Sequence, residues 1–441
     1  MYVAVPPNPY DVLDAATGKV LDALSSERGS PVPGYPHWDK LRHLNPPAGI
    51  TSEQWWAGIR LARNTAQRTV PLTSPTGGTF GFCLPDAVLR GLRYVDQRCS
   101  GEIAMAEVVT HDEQSKRRYL VNAQMEEAIR SSQLEGATTS RTIAKEMLRS
   151  GRQPNTRSER MIVNNYRALE YMRDGIGDAL TPASVLELQR ILTEGTLDNP
   201  DAAGRLQRPD EERVAVYDRL DGSLLHSPPP ADQLPARLEA MCDFANASED
   251  SEPFVHPVIR GILLHFWLAY DHPFEDGNGR TARTLFYWYM RTHGYWLVEY
   301  LSISAILRDA PGKYSRSFLL TETDDGDTTY FLLYQLEVIE RAVEELHKYL
   351  DRKMAEVRDA EPLLRNDPSL NHRQADLLGD ALRHPERTYT FGEHSRNHGV
   401  THETARTDLS TLADRGLLIA RNTRPRQFDV PRDLSDRLRS P

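Results

Sequence analysis

Apolar residues recur at helical spacing along most of the 441-residue chain, and only a few short runs carry the composition of strands. Ile259, Leu263, Phe266 and Tyr270 predict a buried helix running into His272, where Pro273 disfavours helical geometry in the residue before it. Thr281 to Met290 reads as a second apolar helix directly after it. Further helices are expected over Ser52–Arg63, Tyr119–Leu134, Glu159–Met172 and Tyr330–Leu350. Another spans Thr181–Leu192, with Thr181 as N-cap and Pro182 at the first helical position. Trp55 and Trp56 are read as packing anchors. Pro71–Phe82 is expected to hold a short strand pair, and Val214–Tyr217 with Leu224–His226 a hairpin around Asp221-Gly222. The expected class is mainly α, with a small β-hairpin.

Beyond the long helix the pattern changes. Glu361–Ser369 is polar with two prolines, which marks 359–370 as a linker. A compact unit over 371–441 follows, with helices at Asn371–Leu382, Glu393–Asn397 and Thr401–Asp414. Tyr389-Thr-Phe follows the first of these helices, and two strands of a wing are expected at Gly416–Ala420 and Arg426–Val430. That order resembles a winged helix-turn-helix. The resemblance would make Thr401, His402, Thr404 and Arg406 groove-facing residues and Arg421, Arg424 and Arg426 phosphate contacts, so DNA is a candidate partner. The charge is weak for that role. The unit carries 12 Lys/Arg against 10 Asp/Glu, a net of +2, in a chain of net charge −10. Residues 1–110 form a segment broken by Pro6-Pro7-Asn8-Pro9, Pro31–Pro33 and Pro46-Pro47, and carry no evident chemistry.

The chemistry is concentrated in His272-Pro-Phe-Glu-Asp-Gly-Asn-Gly-Arg-Thr-Ala-Arg283. His272 can take a proton near neutral pH. Asp276 is a hard oxygen ligand suited to Mg²⁺. Gly277 and Gly279 let backbone N–H groups approach an anion closely, at the start of a helix whose dipole favours negative charge. Arg280 and Arg283 lie three apart and offer planar forks to phosphate oxygens. Together these residue types suit a polyphosphate with a metal.

This stretch resembles the signature of the Fic/Doc family, His-x-Phe-x-(Asp/Glu)-Gly-Asn-Gly-Arg-x-x-Arg, and every defined position is matched. Ser131-x-x-x-Glu135-Gly136 likewise resembles that family's inhibitory motif, in the class that places it before the catalytic core, here on an amphipathic helix spanning 119–136. The resemblance implies a catalytic domain over 111–358 that transfers AMP from ATP to a Tyr, Thr or Ser hydroxyl of a protein, itself included. His272 would be the general base. Asp276 would hold Mg²⁺, or Mn²⁺. Phe274, Gly277, Asn278, Gly279, Arg280 and Arg283 would form the nucleotide site, with Asn278 also stabilising charge at the α-phosphate. Glu135 would occupy the place of a γ-phosphate on Arg283. Val214, Val216, Leu225 and His226 would form a flap that docks the target segment. Asp271, where the family resemblance leads one to expect an apolar residue, either orients His272 or faces solvent. Rival readings are a DNA-binding regulator using the core as a nucleotide sensor, transfer of another nucleotide, and removal of AMP by the same site. The restraint could act within one chain or across a homodimer.

Three widely spaced cysteines give neither a disulfide framework nor a zinc site. His256 and His265 are read as structural, and Asp324–Asp327 as a solvated turn in which Asp327 caps the next helix. No signal-like N-terminus or membrane-length apolar run appears, so a cytoplasmic protein with no membrane partner is expected.

Overall fold

The computed structural model describes residues 2–13, 18, 34–100, 113–217, 222–248, 250–384, 387–431 and 433–439. The Pro31–Pro33 break, Asp221 of the expected turn and the expected boundary at residue 110 lie outside them. The chain divides into two compact units, residues 1–104 with 121–343, and residues 105–120 with 344–441.

The first unit opens with α1 (Pro9–Leu13), α2 (Trp38–Leu41), α3 (Ser52–Ala66), β1 (Arg68–Thr73), β2 (Thr79–Phe82) and α4 (Asp86–Cys99). Thr51, rather than Ser52, caps α3 through a reciprocal capping box with Gln54. Trp55 and Trp56 pack with Trp38, Leu41 and Ile50, as expected of anchors. Next come α5 (Glu113–Leu134), α6 (Arg141–Ser150), α7 (Arg157–Asp174) and α8 (Pro182–Thr193). The hairpin β3 (Val216–Tyr217) and β4 (Leu224–His226) is antiparallel, pairing Val216 with His226 and Tyr217 with Leu224. Helices α9 (Leu234–Asn246), α10 (Pro257–Asp271), α11 (Asn278–Thr292), α12 (Ile303–Asp309), α13 (Pro311–Thr323) and α14 (Thr329–Asn366) follow.

Helix α10 is buried nearly all round, which is why its sequence shows no polar face. Phe266 on α10 stacks on Phe318 of α13 and meets Phe80 and Phe331, so the helix entering the chemical stretch is held from three sides. Helix α5 departs from the amphipathic expectation. Gln124, Glu127, Ser131 and Ser132 are all buried, so its polar residues face the interior.

The Asp324–Asp327 turn is also not solvated. Asp327 does cap α14, accepting from the Thr329 N–H, but Asp324 and Asp327 are buried against Arg60 of α3, with Asp324 3.0 Å from Arg60 Nε. Tyr330 adds a 2.7 Å bond to Asp324, and the Tyr35 hydroxyl a 2.7 Å bond to Asp327. Burial, together with Asp327, pushes the Asp324 carboxyl up to about 6 against the pull of Arg60. Arg60→Met would leave these carboxylates without that partner. The expected cost is about 3–5 kcal/mol in denaturant unfolding, and a loss below about 1 kcal/mol would show that the network contributes little.

In the second unit, α14 continues to Asn366 with Pro362 inside it, which corrects the expected linker over 359–370. Leu364 explains the continuation. It is buried in the C-terminal core with Leu377, Leu378 and Leu412, and that packing outweighs the missing N–H of Pro362. The rest comprises α15 (His372–Arg383), β5 (Thr388–Thr390), α16 (Phe391–His398), α17 (His402–Asp414), β6 (Ile419–Arg421), β7 (Gln427–Asp429) and α18 (Leu434–Arg439). The three strands form one antiparallel sheet in the order β5-β7-β6. Asn371 and Thr401 are N-caps, and Gly399 turns α16 into α17 at a φ of +61°. Asp408 of α17 binds Arg373 (2.8 Å), Asn371 (2.8 Å) and His394 (3.1 Å), tying the three helices together.

Candidate active site

The expected chemical stretch lies between α10 and α11. His272 caps α10 in the left-handed region (φ +46°), which turns the chain sharply out of the helix. Gly277 takes φ +89° and begins α11, and a side chain there would also press on Thr193 at 3.0 Å. Between them, the Asn278 side chain accepts from the Phe274 N–H (2.9 Å) and donates to the Phe274 carbonyl (2.8 Å). It also stands 3.3 Å from His272 Nδ1. As at any helix start, the first N–H groups of α11 have no partner inside the helix, so they form a positive cradle beside the turn.

His272 is neutral here. Burial is the largest influence and holds the ring down to about 4, with nearby His226 and Arg213 pushing the same way and Glu135 opposing. An amide nitrogen only donates, so the Asn278 contact leaves Nδ1 as the acceptor side of the ring. The Val214 carbonyl is the ring's other hydrogen-bond partner.

Arg283 is enclosed between α11 and the end of α5. It is 1% exposed, and its Nε and Nη2 lie 3.0 and 2.9 Å from the Ser131 hydroxyl. Nη2 also meets the Ser131 carbonyl at 3.2 Å and the Glu135 carboxylate at 2.9 Å. Nη1 is buried without a hydrogen-bond partner among the described residues. Such a donor is costly unless something else satisfies it at times. Gly279 makes room for this contact: a Cβ there would fall 2.1 Å from Glu135 Oε1. Gly136, at φ +99°, ends the α5 turn so that Glu135 reaches across.

Several of the expected site residues are engaged within the protein. Phe274 and Arg280 are fully buried, so neither presents surface to a nucleotide. Phe274 fills the core under the turn. Arg280 instead bonds the Leu192 carbonyl (3.0 Å) and Asp276 (3.1 Å), pinning the end of α8 to the loop. The Asn278 side chain is engaged by the turn and does not reach outward. Asp276 is half-exposed, its Oδ1 accepting from the Gly277 N–H at 2.6 Å. Groups of three or more His, Cys, Asp or Glu placed to hold a metal are absent among the described residues. One exposed carboxylate suits Mg²⁺ that arrives with phosphates better than a resident ion.

Asp271 neither touches His272 nor faces solvent. It is buried, paired with Arg237 of α9 at 2.6 Å and bonded to Trp267 Nε1 at 3.0 Å. The flap is fastened close to the base. Arg213 donates to the Asp271 and His272 carbonyls at 2.8 and 3.1 Å, and His226 lies 2.6 Å from the Tyr270 carbonyl and 2.8 Å from Glu322. His226 is therefore a fastening of β4. Val214, Val216 and Leu225 are half-buried on the same element, while Tyr217 and Leu224 are its exposed apolar residues.

Sequence reasoning missed Gln189, which holds the Asp276 carbonyl (3.0 Å) and the Gly204 N–H (2.6 Å). It also missed Glu127, one turn before Ser131 on α5, buried and bonded to Ser302 at 2.8 Å and the Ser304 N–H at 3.2 Å. His265, read as structural, is buried and pushed down to about 3 by that burial, then by Arg283, and sits 2.8 Å from the Tyr314 hydroxyl. The signal available for Glu127 was its i, i+4 relation to Ser131 on one helix face.

Residues 179–290 match the family model described as Fic/DOC family. Over those residues, about a quarter of the chain, the sequence is similar to the Fic/DOC family. It is 33% identical over 121 residues to the protein adenylyltransferase Fic of Nematostella vectensis, covering 27% of this chain and 25% of that one. To the protein of the same name from Drosophila willistoni it is 37% identical over 70 residues, covering 16% and 14%. The chain thus spans a quarter or less of the length of these curated relatives. A Fic family protein from Desulfovibrio desulfuricans G20 superposes with a TM-score of 0.50 at 17% identity, over 80% of this chain and 98% of that one, a likeness of fold. The Fic/DOC match covers α10, the turn and α11 as far as Met290, while Ser131 and Glu135 lie outside it.

Proposed function

We propose that this protein transfers AMP from ATP to a hydroxyl on a protein, itself included, and that Glu135 restrains the reaction. The observation that carries this reading is the Arg283 guanidinium, buried beside the motif turn and held by Ser131 and Glu135, with no hydrogen-bond partner to Nη1 among the described residues. A phosphate offers more acceptor oxygens than the single carboxylate contact in place and can satisfy all of that fork.

In this mechanism the triphosphate lies along the start of α11, with its terminal phosphate on Arg283 after Glu135 withdraws. The N–H groups of the first turn bind the phosphate oxygens around the α-phosphorus. His272, neutral by burial, removes the hydroxyl proton as the new O–P bond forms and the bond to pyrophosphate breaks in line. Half-exposed Asp276 is the residue that would hold Mg²⁺, or Mn²⁺, which would supply neutralisation of phosphate charge. The hydroxyl is supplied by an extended segment laid beside β3–β4, whose fastening through Arg213 and His226 keeps that edge at a set distance from His272.

The restraint follows from the same geometry. With Glu135 on Arg283 a nucleotide loses its terminal anchor, and its α-phosphorus is no longer aligned for attack. The test uses ATP labelled at either the α- or the γ-phosphate with a Glu135→Gly chain. Label from the α position is expected to enter protein and label from the γ position is not. Incorporation of the γ label would mean phosphoryl transfer and overturn the proposal.

A further inference from the structure

We propose that the C-terminal unit binds double-stranded DNA, through the first turns of α17 and the loop joining β6 to β7. The weak net charge of this unit conceals an uneven distribution. Several of its ten carboxylates are engaged internally, Asp408 with Arg373, Asp380 and Glu393 with Arg387, Asp429 with Arg421 and Asp433 with Arg437, and Asp367 just before them pairs with Arg415. Arg396, Arg406, Arg424 and Arg426 are exposed and make no ion pair among the described residues. Arg421, expected from sequence to touch phosphate, belongs to the paired set.

The unpaired arginines sit on connected elements. His402 in the first turn of α17 packs on Phe391 at 5.7 Å, Phe391 packs on Phe428 of β7 at 5.2 Å, and Arg426 lies over the Phe428 ring at 5.7 Å. This aromatic chain joins the start of the helix that carries Arg406 to the base of the strand loop that carries Arg424. The outward residues of α17 there are Thr401, His402 and Arg406, with Glu403 as the carboxylate among them. Helix α16, the Gly399 turn and α17 form a helix-turn-helix whose second helix is the more exposed, the arrangement that places a helix in a major groove. Thr and Arg side chains reach base edges, and the loop arginines reach phosphates on either side. Charge complementarity selects the occupant, because a surface that carries unpaired cations suits a polyanion better than another protein core. Duplex binding by this surface is independent of the transfer reaction.

The test is a fluorescence titration of a mixed-sequence duplex with the full chain at several salt concentrations, from about 50 mM upward. The wild type is expected to bind with an affinity that falls steeply with salt. Arg406→Ala/Arg424→Ala should bind roughly ten-fold more weakly and lower the slope of log affinity against log salt by about two, near 0.9 for each phosphate no longer neutralised. Arg437→Ala, which breaks an exposed pair with Asp433 elsewhere in the unit, should behave as wild type. Unchanged circular dichroism would show that the variants fold. No binding by the wild type at low salt, an equal loss in Arg437→Ala, or an unchanged double variant would each overturn the proposal. So would self-association of the chain abolished by the double variant without any duplex binding.

Discussion

Glu135→Gly is expected to raise AMP transfer from ATP by about 10- to 150-fold. The range comes from the hydrogen bond that the substitution removes. A charge-assisted hydrogen bond to a buried partner is worth about 1.5–3 kcal/mol, and each 1.4 kcal/mol is a factor of ten. The Glu135 carboxylate stands 2.9 Å from Arg283 Nη2 but is itself 28% exposed, so it can leave for solvent at modest cost. Arg283 cannot leave, being enclosed by Ser131, with Tyr314 and Glu127 also close enough to influence it. Removing Glu135 therefore vacates the anion position without disturbing the cation. Glu135→Gln, which keeps a hydrogen-bond acceptor but not the charge, should fall between wild type and Gly. Initial rates of α-label incorporation measure the series. A Glu135→Gly rate equal to wild type would remove the brake from the mechanism and leave Glu135 as a helix-end contact.

The second large effect concerns the base. In a Glu135→Gly background, His272→Ala is expected to lower transfer by on the order of 10²- to 10⁴-fold, the usual range for a positioned general base. Because residue 272 has φ +46°, His272→Asn is the companion variant, since Asn tolerates that conformation better than Ala. Both should lose activity while still binding nucleotide. The pH profile adds a readout that a purely structural role would not move. Burial lowers the ring to about 4, so the neutral, proton-accepting form persists from alkaline pH down to near that value. The quotient kcat/KM reports the free enzyme. It should stay flat from about pH 8 to 5, then fall as pH drops through about 4, where the ring becomes protonated. Full activity in both variants would rule out His272 as the base.

Other parts of the site behave as supports. Arg280, in a motif position that suggests phosphate, is fully buried and pins α8, and Asn278 is the internal brace of the turn. Asp276 shares in that support, accepting from the Gly277 N–H and pairing with Arg280.

The sequence alone determined the helical class, the turn between α10 and α11, the pairing of Ser131 and Glu135 on one side of α5, and the order of elements in the C-terminal unit. Each is local: periodicity, caps, glycines with positive φ and i, i+4 relations depend on neighbours a few residues away. Only the tertiary structure decided which charges are buried and with whom. Asp271 with Arg237, Arg60 with Asp324 and Asp327, and His226 with Glu322 join residues 34, 264 or 267, and 96 positions apart. Nothing in the local pattern of an aspartate distinguishes a solvated turn from a buried one, because the difference lies in a partner supplied from elsewhere in the chain. The linker expectation failed for the same reason: Pro362 argued for a break, while the pocket for Leu364 was invisible until the C-terminal core had formed around it.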